Sequence, residues 1–139
     1  MKLSRTVGYA LQATLQLAEA DPGTPVPCSQ LAANGQMPER FLLQILRNLV
    51  THGILHSTRG VDGGYALDRP ANEISLLDLI EAVDGPVLEH APLAEGLPPE
   101  LVDQLSAALK EVSAVTRRQL SAIKIASLVS HHRKAAEQK

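Results

Sequence analysis

The chain has one cysteine, no tryptophan and only three aromatic residues, Tyr9, Phe41 and Tyr65, in 139 positions. A single cysteine excludes an internal disulfide and any metal site built from several thiolates. No apolar run approaches the roughly 20 residues of a membrane span. The opening Met1–Arg5 lacks the apolar middle of a secretory signal, so a cytoplasmic protein with no membrane partner is expected. Catalytic signatures are missing too. There is no cysteine–histidine nucleophile pattern, phosphate-loop lysine, zinc-binding helical histidine pair or nucleophile elbow, so no enzyme is expected and no catalytic residue is assigned.

What is present is ordinary for a globular domain: 45% hydrophobic and 20% charged residues, too apolar for disorder and enough for a core. The net charge of −2 excludes a protein coated in basic surface. It hides an asymmetry, because residues 1–70 carry six Lys/Arg against five Asp/Glu and residues 71–139 carry seven against ten. A polyanion would be met by a few placed arginines in the first half.

Ser4 is suited to cap a first helix with Val7, Ala10, Leu11, Leu15 and Ala18 at helical spacing, ended by Asp21-Pro22-Gly23. A short helix over Cys28–Ala33 stops at Asn34-Gly35, and a longer one runs from Pro38 to His52 with Gly53 beyond it. Prolines open both, as suits a first helical turn. In the third helix Phe41, Leu42, Ile45, Leu46 and Leu49 share the side expected to dock on its neighbours. Arg40, Gln44, Arg47, Asn48 and Thr51 share the other, with no carboxylate near its centre and Glu39 only at its edge. A solvated face usually mixes both signs. Its absence here favours a ligand that accepts hydrogen bonds.

The stretch HSTRGVDGGYAL, residues 56–67, then pairs two short strands through a glycine-rich tip bearing Arg59 and Gly60. Three helices followed by a hairpin make a winged helix-turn-helix, so the fold class is mainly α with a two-stranded β wing. Ser75 and Asp78 form a capping box for a fourth helix, with Ile74 and Leu79 as its staple and Gly85 as its end. Residues 1–85 are therefore expected to form the winged helix-turn-helix unit, a DNA-binding domain type, and residues 86–99 a linker. Residues 100–139 hold a long C-terminal dimerisation helix and a last helix restarting near Ser121. Leu101, Leu105, Ala108, Val112 and Val115 alternate steps of four and three, two heptads of a coiled-coil-like seam that predicts a homodimer interface.

These pieces resemble, in order, the Rrf-two (Rrf2) family of bacterial winged-helix transcription regulators, the IscR, NsrR and CymR kind. The matching stretches are MKLS at 1–4, GYALQATLQLA at 8–18, LAANGQMPERFLLQILRNLVTHGIL at 31–55, STRGVDGGYALDRP at 57–70 and ISLLDLIEAVDGP at 74–86. The resemblance implies a homodimer on double-stranded DNA with an imperfect palindrome, acting as a repressor. It places Gln44 at the base-reading position, with Arg40 and Arg47 flanking it, and Arg59 and Gly60 at the wing tip. There an arginine suits the enhanced potential of a narrow minor groove. Lys2, Arg5 and Tyr9 are candidates for phosphate contacts across the groove, Tyr9 equally for the core, and Tyr65 packs the hairpin onto the helices. Where the family often has glutamate before that glutamine, this chain has Leu43. Leucine offers a base only apolar contact, such as with a thymine methyl, or packs against a neighbour.

The family's usual iron–sulfur cluster sits on three cysteines in the loop before the long helix, and residues 86–99 contain none, so no cofactor is expected. Cys28 is either a small core thiol or a redox-responsive one favoured by its helix start. Glu89, His90, His131 and His132 lack a recognisable metal spacing, and no metal site is expected. His52 and His56 border the interface, with two readings open: a mild pH dependence of binding, or the commoner surface histidine with no such effect. Arg59 has an alternative as a solvated loop residue, and the whole polar face as a protein-binding surface. The effector is left open between a partner protein, a small molecule in the dimer groove and none at all.

Overall fold

The computed structural model describes residues 2–87 and 95–137. Helix α1 spans Arg5–Glu19, α2 Cys28–Gly35 and α3 Glu39–Thr51. The antiparallel strands β1 (Leu55–Thr58) and β2 (Gly64–Leu67) follow, then a short 3-10 turn over Ala71–Glu73. After them come α4 (Leu76–Asp84), α5 (Pro99–Ala122) and α6 (Ile125–Glu137).

Local signals start these elements where the pattern predicts. Ser4 caps α1 by accepting the Val7 amide at 3.1 Å, and its hydroxyl donates to Asp84 at 2.7 Å, tying the start of α1 to the end of α4. Both halves of the α4 capping box form. Pro27 and Pro38 stand one place earlier than predicted, as extended cap residues before α2 and α3.

The α2–α3 turn differs from expectation in its left-handed residue. Gln36, with φ 53° and ψ 46°, ends α2, not a glycine. The Met37 amide reaches back to the Ala32 carbonyl at 2.8 Å, and the buried Met37 side chain supplies the apolar contact typical of such an end. Gly35 answers a different need. A Cβ there would lie 2.7 Å from Met37 Cε and 2.8 Å from Gln12 Nε2.

Leu42, Ile45, Leu46 and Leu49 of α3 are buried against Ala10, Ala13 and Leu17 of α1 and Leu31 of α2. Tyr65 packs the wing on this core and exchanges two 2.9 Å backbone hydrogen bonds with Val26, so the wing has a third partner at its base. Gly64 makes that possible, since any Cβ would collide with the Val26 backbone.

The C-terminal end departs from the predicted division. α5 runs through Ser121 to Ala122, and α6 does not belong with the arm. Ile125 and Val129, four residues apart on one face, are buried in the main core beside α1, and Leu128 packs beside them. The return is pinned by backbone hydrogen bonds from Leu76 to Ile123 (2.8 Å) and from Ile125 to Ile74 (2.9 Å). A second cluster of Val7, Leu76, Leu77, Ile80 and Leu120 fixes the C-terminal end of α5 to α4. The predicted linker falls partly at 88–94, outside the described residues.

Candidate nucleic-acid interface

The exposed arc of α3 follows from its buried one. With 3.6 residues per turn, Arg40, Gln44, Arg47, Asn48 and Thr51 fall within about 60° of Gln44. All are exposed except Asn48, which is half-buried. Thr51 donates its hydroxyl to the Arg47 carbonyl at 3.0 Å, and His52 Nδ1 lies 2.8 Å from the Asn48 carbonyl. The last turn is thus closed on itself. The side chains of Arg40, Gln44, Arg47 and Asn48 make no hydrogen bond or ion pair among the described residues.

The same holds for Lys2 and Arg5 at the start of α1 and for Arg59 on the wing, all exposed. Of the six cations in the first half, Arg69 alone meets a carboxylate, Asp78 at 3.6 Å. The structure therefore exposes five cations, at the start of α1, along α3 and at the wing tip, without neutralising any of them within the described residues.

The wing rises directly from the end of α3, where Gly53 turns the chain into β1. Arg59 and Gly60 lie just past β1 at its tip. Gly60 has φ +113°, which L side chains rarely adopt, with open space beyond its Cα, so its backbone can be approached closely. The tip also presents Val61, fully exposed, and Asp62, which forms no ion pair with Arg59. At the wing's base His56 Nδ1 lies 3.2 Å from Asp68.

Phe41 is the residue that sequence reasoning misplaced. Assigned to the buried stripe, it is 44% exposed. The signal was available: Phe41 stands about 20° from Asn48 around the helix axis, on the rim of the polar arc. Its ring is set edge-on against Tyr9 of α1, centroids 5.8 Å apart and planes at 78°. Tyr9 is half-buried against the core. Leu43, half-buried, lies on the opposite rim.

Cys28 opens α2, half-buried, with its Sγ 3.7 Å from the Glu39 carbonyl oxygen. Burial, and secondarily the Glu39 charge, raises its pKa above the ordinary thiol value, so the thiol form is favoured. His132 is 2.7 Å from Glu19, with His131 beside it on α6. Glu89 and His90 lie outside the described residues. No cluster of three metal-ligating side chains occurs among the described residues.

Leu101, Leu105, Ala108, Val112 and Val115 are all exposed on α5, whose one buried residue is Leu120. At that end Arg117 pairs with Glu81 at 2.5 Å and, by its hydrogen bond, holds the Glu81 carboxyl below its usual range. No described helix is long and apolar enough to cross a membrane.

Residues 3–131 match the family model of Rrf2, described as an iron-dependent transcriptional regulator. A helix-turn-helix-type transcriptional regulator of Mycobacterium tuberculosis is 45% identical over 87 residues, covering 63% of this chain and 54% of that protein. The match thus spans about half that relative's length. The regulator CymR of Bacillus subtilis is 30% identical over 114 residues, 81% of this chain and 83% of that protein. The solved structure of B. subtilis CymR, described as the global cysteine regulator, superposes with a TM-score of 0.72 at 24% identity, covering 94% of this chain and 98% of that one. That likeness shows the winged-helix fold.

Proposed function

Since the chain belongs to the Rrf2 family of transcriptional regulators, we propose that it is a homodimeric repressor reading an imperfect palindrome in double-stranded DNA. In this reading α3 enters the major groove, where Gln44 faces a base edge and Arg40, Arg47, Asn48 and Thr51 contact neighbouring bases or phosphates. Arg59 and Gly60 meet the flanking minor groove, and Lys2 and Arg5 the phosphates. The observation that carries the reading is the set of five cations with no carboxylate partner among the described residues. Charge left free on the start of α1, on α3 and on the wing suits a phosphate backbone.

Dimerisation is supported by the exposed seam of α5, which a single chain leaves facing water. The repressor part of the proposal assumes an operator that overlaps the promoter, where a dimer seated across successive grooves excludes polymerase from the same DNA.

The family description names iron, and the donor set of this chain does not suit the cluster. Its one thiol opens α2, hydrogen-bonded to the α3 backbone and with a raised pKa, far in sequence from residues 86–99, which hold no cysteine. We infer regulation without an iron–sulfur cluster, the effector being a partner protein or a small molecule.

The test is selection of bound duplexes from a random pool, followed by footprinting and a salt titration. A palindromic site is expected. With Lys2, Arg5 and one of the two α3 arginines neutralising phosphates in each protomer, six contacts per dimer, log affinity should fall against log salt with a slope of about −5. Arg59→Ala should weaken binding chiefly where A·T pairs flank the core, and a uniform loss would make Arg59 a phosphate contact. No preferred duplex, together with salt-insensitive binding of a protein to the same face, would replace this reading with an interaction module.

A further inference from the structure

Phe41, the chain's only phenylalanine, stands in the first turn of α3 with 44% of its surface open. It is on the rim of the polar arc near Asn48, about 160° around the axis from Leu43. Its ring is held against Tyr9, so its position is defined although it faces solvent. It lies between two sets of side chains. On one side are the amides and arginines of α3, and on the other is α1, whose start carries Lys2 and Arg5.

If α3 lies in the major groove, its N-terminal residues are the ones that meet base edges. The apolar group that B-DNA presents there is the thymine C5-methyl. That methyl stands toward the wall of the groove, beside its own strand's backbone. A ring between base-facing amides and phosphate-facing cations occupies the corresponding place on the protein. We propose that Phe41 is a specificity residue whose ring receives the C5-methyl of a thymine in each half-site, adding a thymine preference at a position distinct from any set by Leu43. The inference rests on the DNA-binding reading above.

The experiment has two stages. Duplexes are selected with the wild-type protein and with Phe41→Ala, and the thymine position whose preference vanishes in the variant is identified. That thymine is then replaced by deoxyuridine, which lacks only the methyl. Wild-type affinity should fall about fourfold for each half-site substituted, the worth of one buried methyl-sized group, and Phe41→Ala should bind both duplexes equally. Phe41→Leu should keep part of the preference, because an apolar group remains.

An unchanged pool for Phe41→Ala overturns the inference. So does a loss of affinity that is the same on thymine and deoxyuridine duplexes, which would assign the ring to sugar packing or to holding Tyr9. Thermal melting of each variant separates these results from unfolding. If the wild-type protein selects no duplex at all, the DNA-binding reading itself fails. A selected site with no thymine dependence refutes Phe41's role alone.

Discussion

Placing a carboxylate at Val112 is the sharpest perturbation of the proposed dimer. Val112 is 54% exposed, more open than Leu101, Leu105 or Val115 of the same α5 seam. Fully burying a valine is worth ~1.5–3 kcal/mol, and about half of that is still to be gained when the seam closes, so each copy contributes ~1 kcal/mol. Val112→Asp removes this twice in a symmetric pair. It also confronts two carboxylates across the seam, where each uncompensated buried charge costs several kcal/mol. A combined loss of at least ~5 kcal/mol weakens association more than about a thousandfold. Sedimentation equilibrium over a wide concentration range should show a dimer for the wild type and a monomer for the variant. The isolated fold should survive, since an aspartate on an exposed helical face changes helix propensity by only a few tenths of a kcal/mol. Ala114→Asp, exposed and about 160° around the axis from Val112, is the control and should stay dimeric. If Val112→Asp sediments with the wild-type dissociation constant, the seam is not the interface.

Two further outcomes bear on the fold and on the thiol. Ser75 is 2% exposed and its hydroxyl accepts the Asp78 amide at 3.1 Å, so Ser75→Ala should cost ~1–2 kcal/mol, read as a lower urea midpoint; an unchanged midpoint would mean that the box contributes nothing. Cys28 is held as a thiol by burial and by Glu39, so iodoacetamide should alkylate it at pH 7 more slowly than a free cysteine peptide, with the rate still climbing at the pH where that of the free peptide levels off. Fast alkylation at pH 7 would restore the redox-responsive alternative.

Most of residues 1–85 was legible because local chemistry and periodicity agree there. Ser4, the Ser75–Asp78 box and the run Leu42, Ile45, Leu46, Leu49 each point to one structure, and each is present. The α2–α3 turn was misread because Asn34-Gly35 carries the usual stop signal. Gln36 takes the left-handed conformation because burying Met37 outweighs a local penalty on a non-glycine residue. Phe41 was misplaced for a related reason. Hydrophobicity assigned it inward, whereas its angle assigns it to the rim, and with Tyr9 beside it the angle prevails.

The placement of α6 was the part that the pattern could not supply. Ile125, Leu128 and Val129 have the spacing of any amphipathic helix, which states that a face is buried but not against what. What decides it is non-local. The backbone of residues 123–125 pairs with residues 74–76 at the start of α4, and this directs α6 onto α1 instead of along α5. The same three residues set where α5 leaves the domain. In a dimer closed along the α5 seam, the spacing between the two α3 helices is therefore governed by hydrogen bonds at Ile74, Leu76, Ile123 and Ile125, far in sequence from the residues that face DNA.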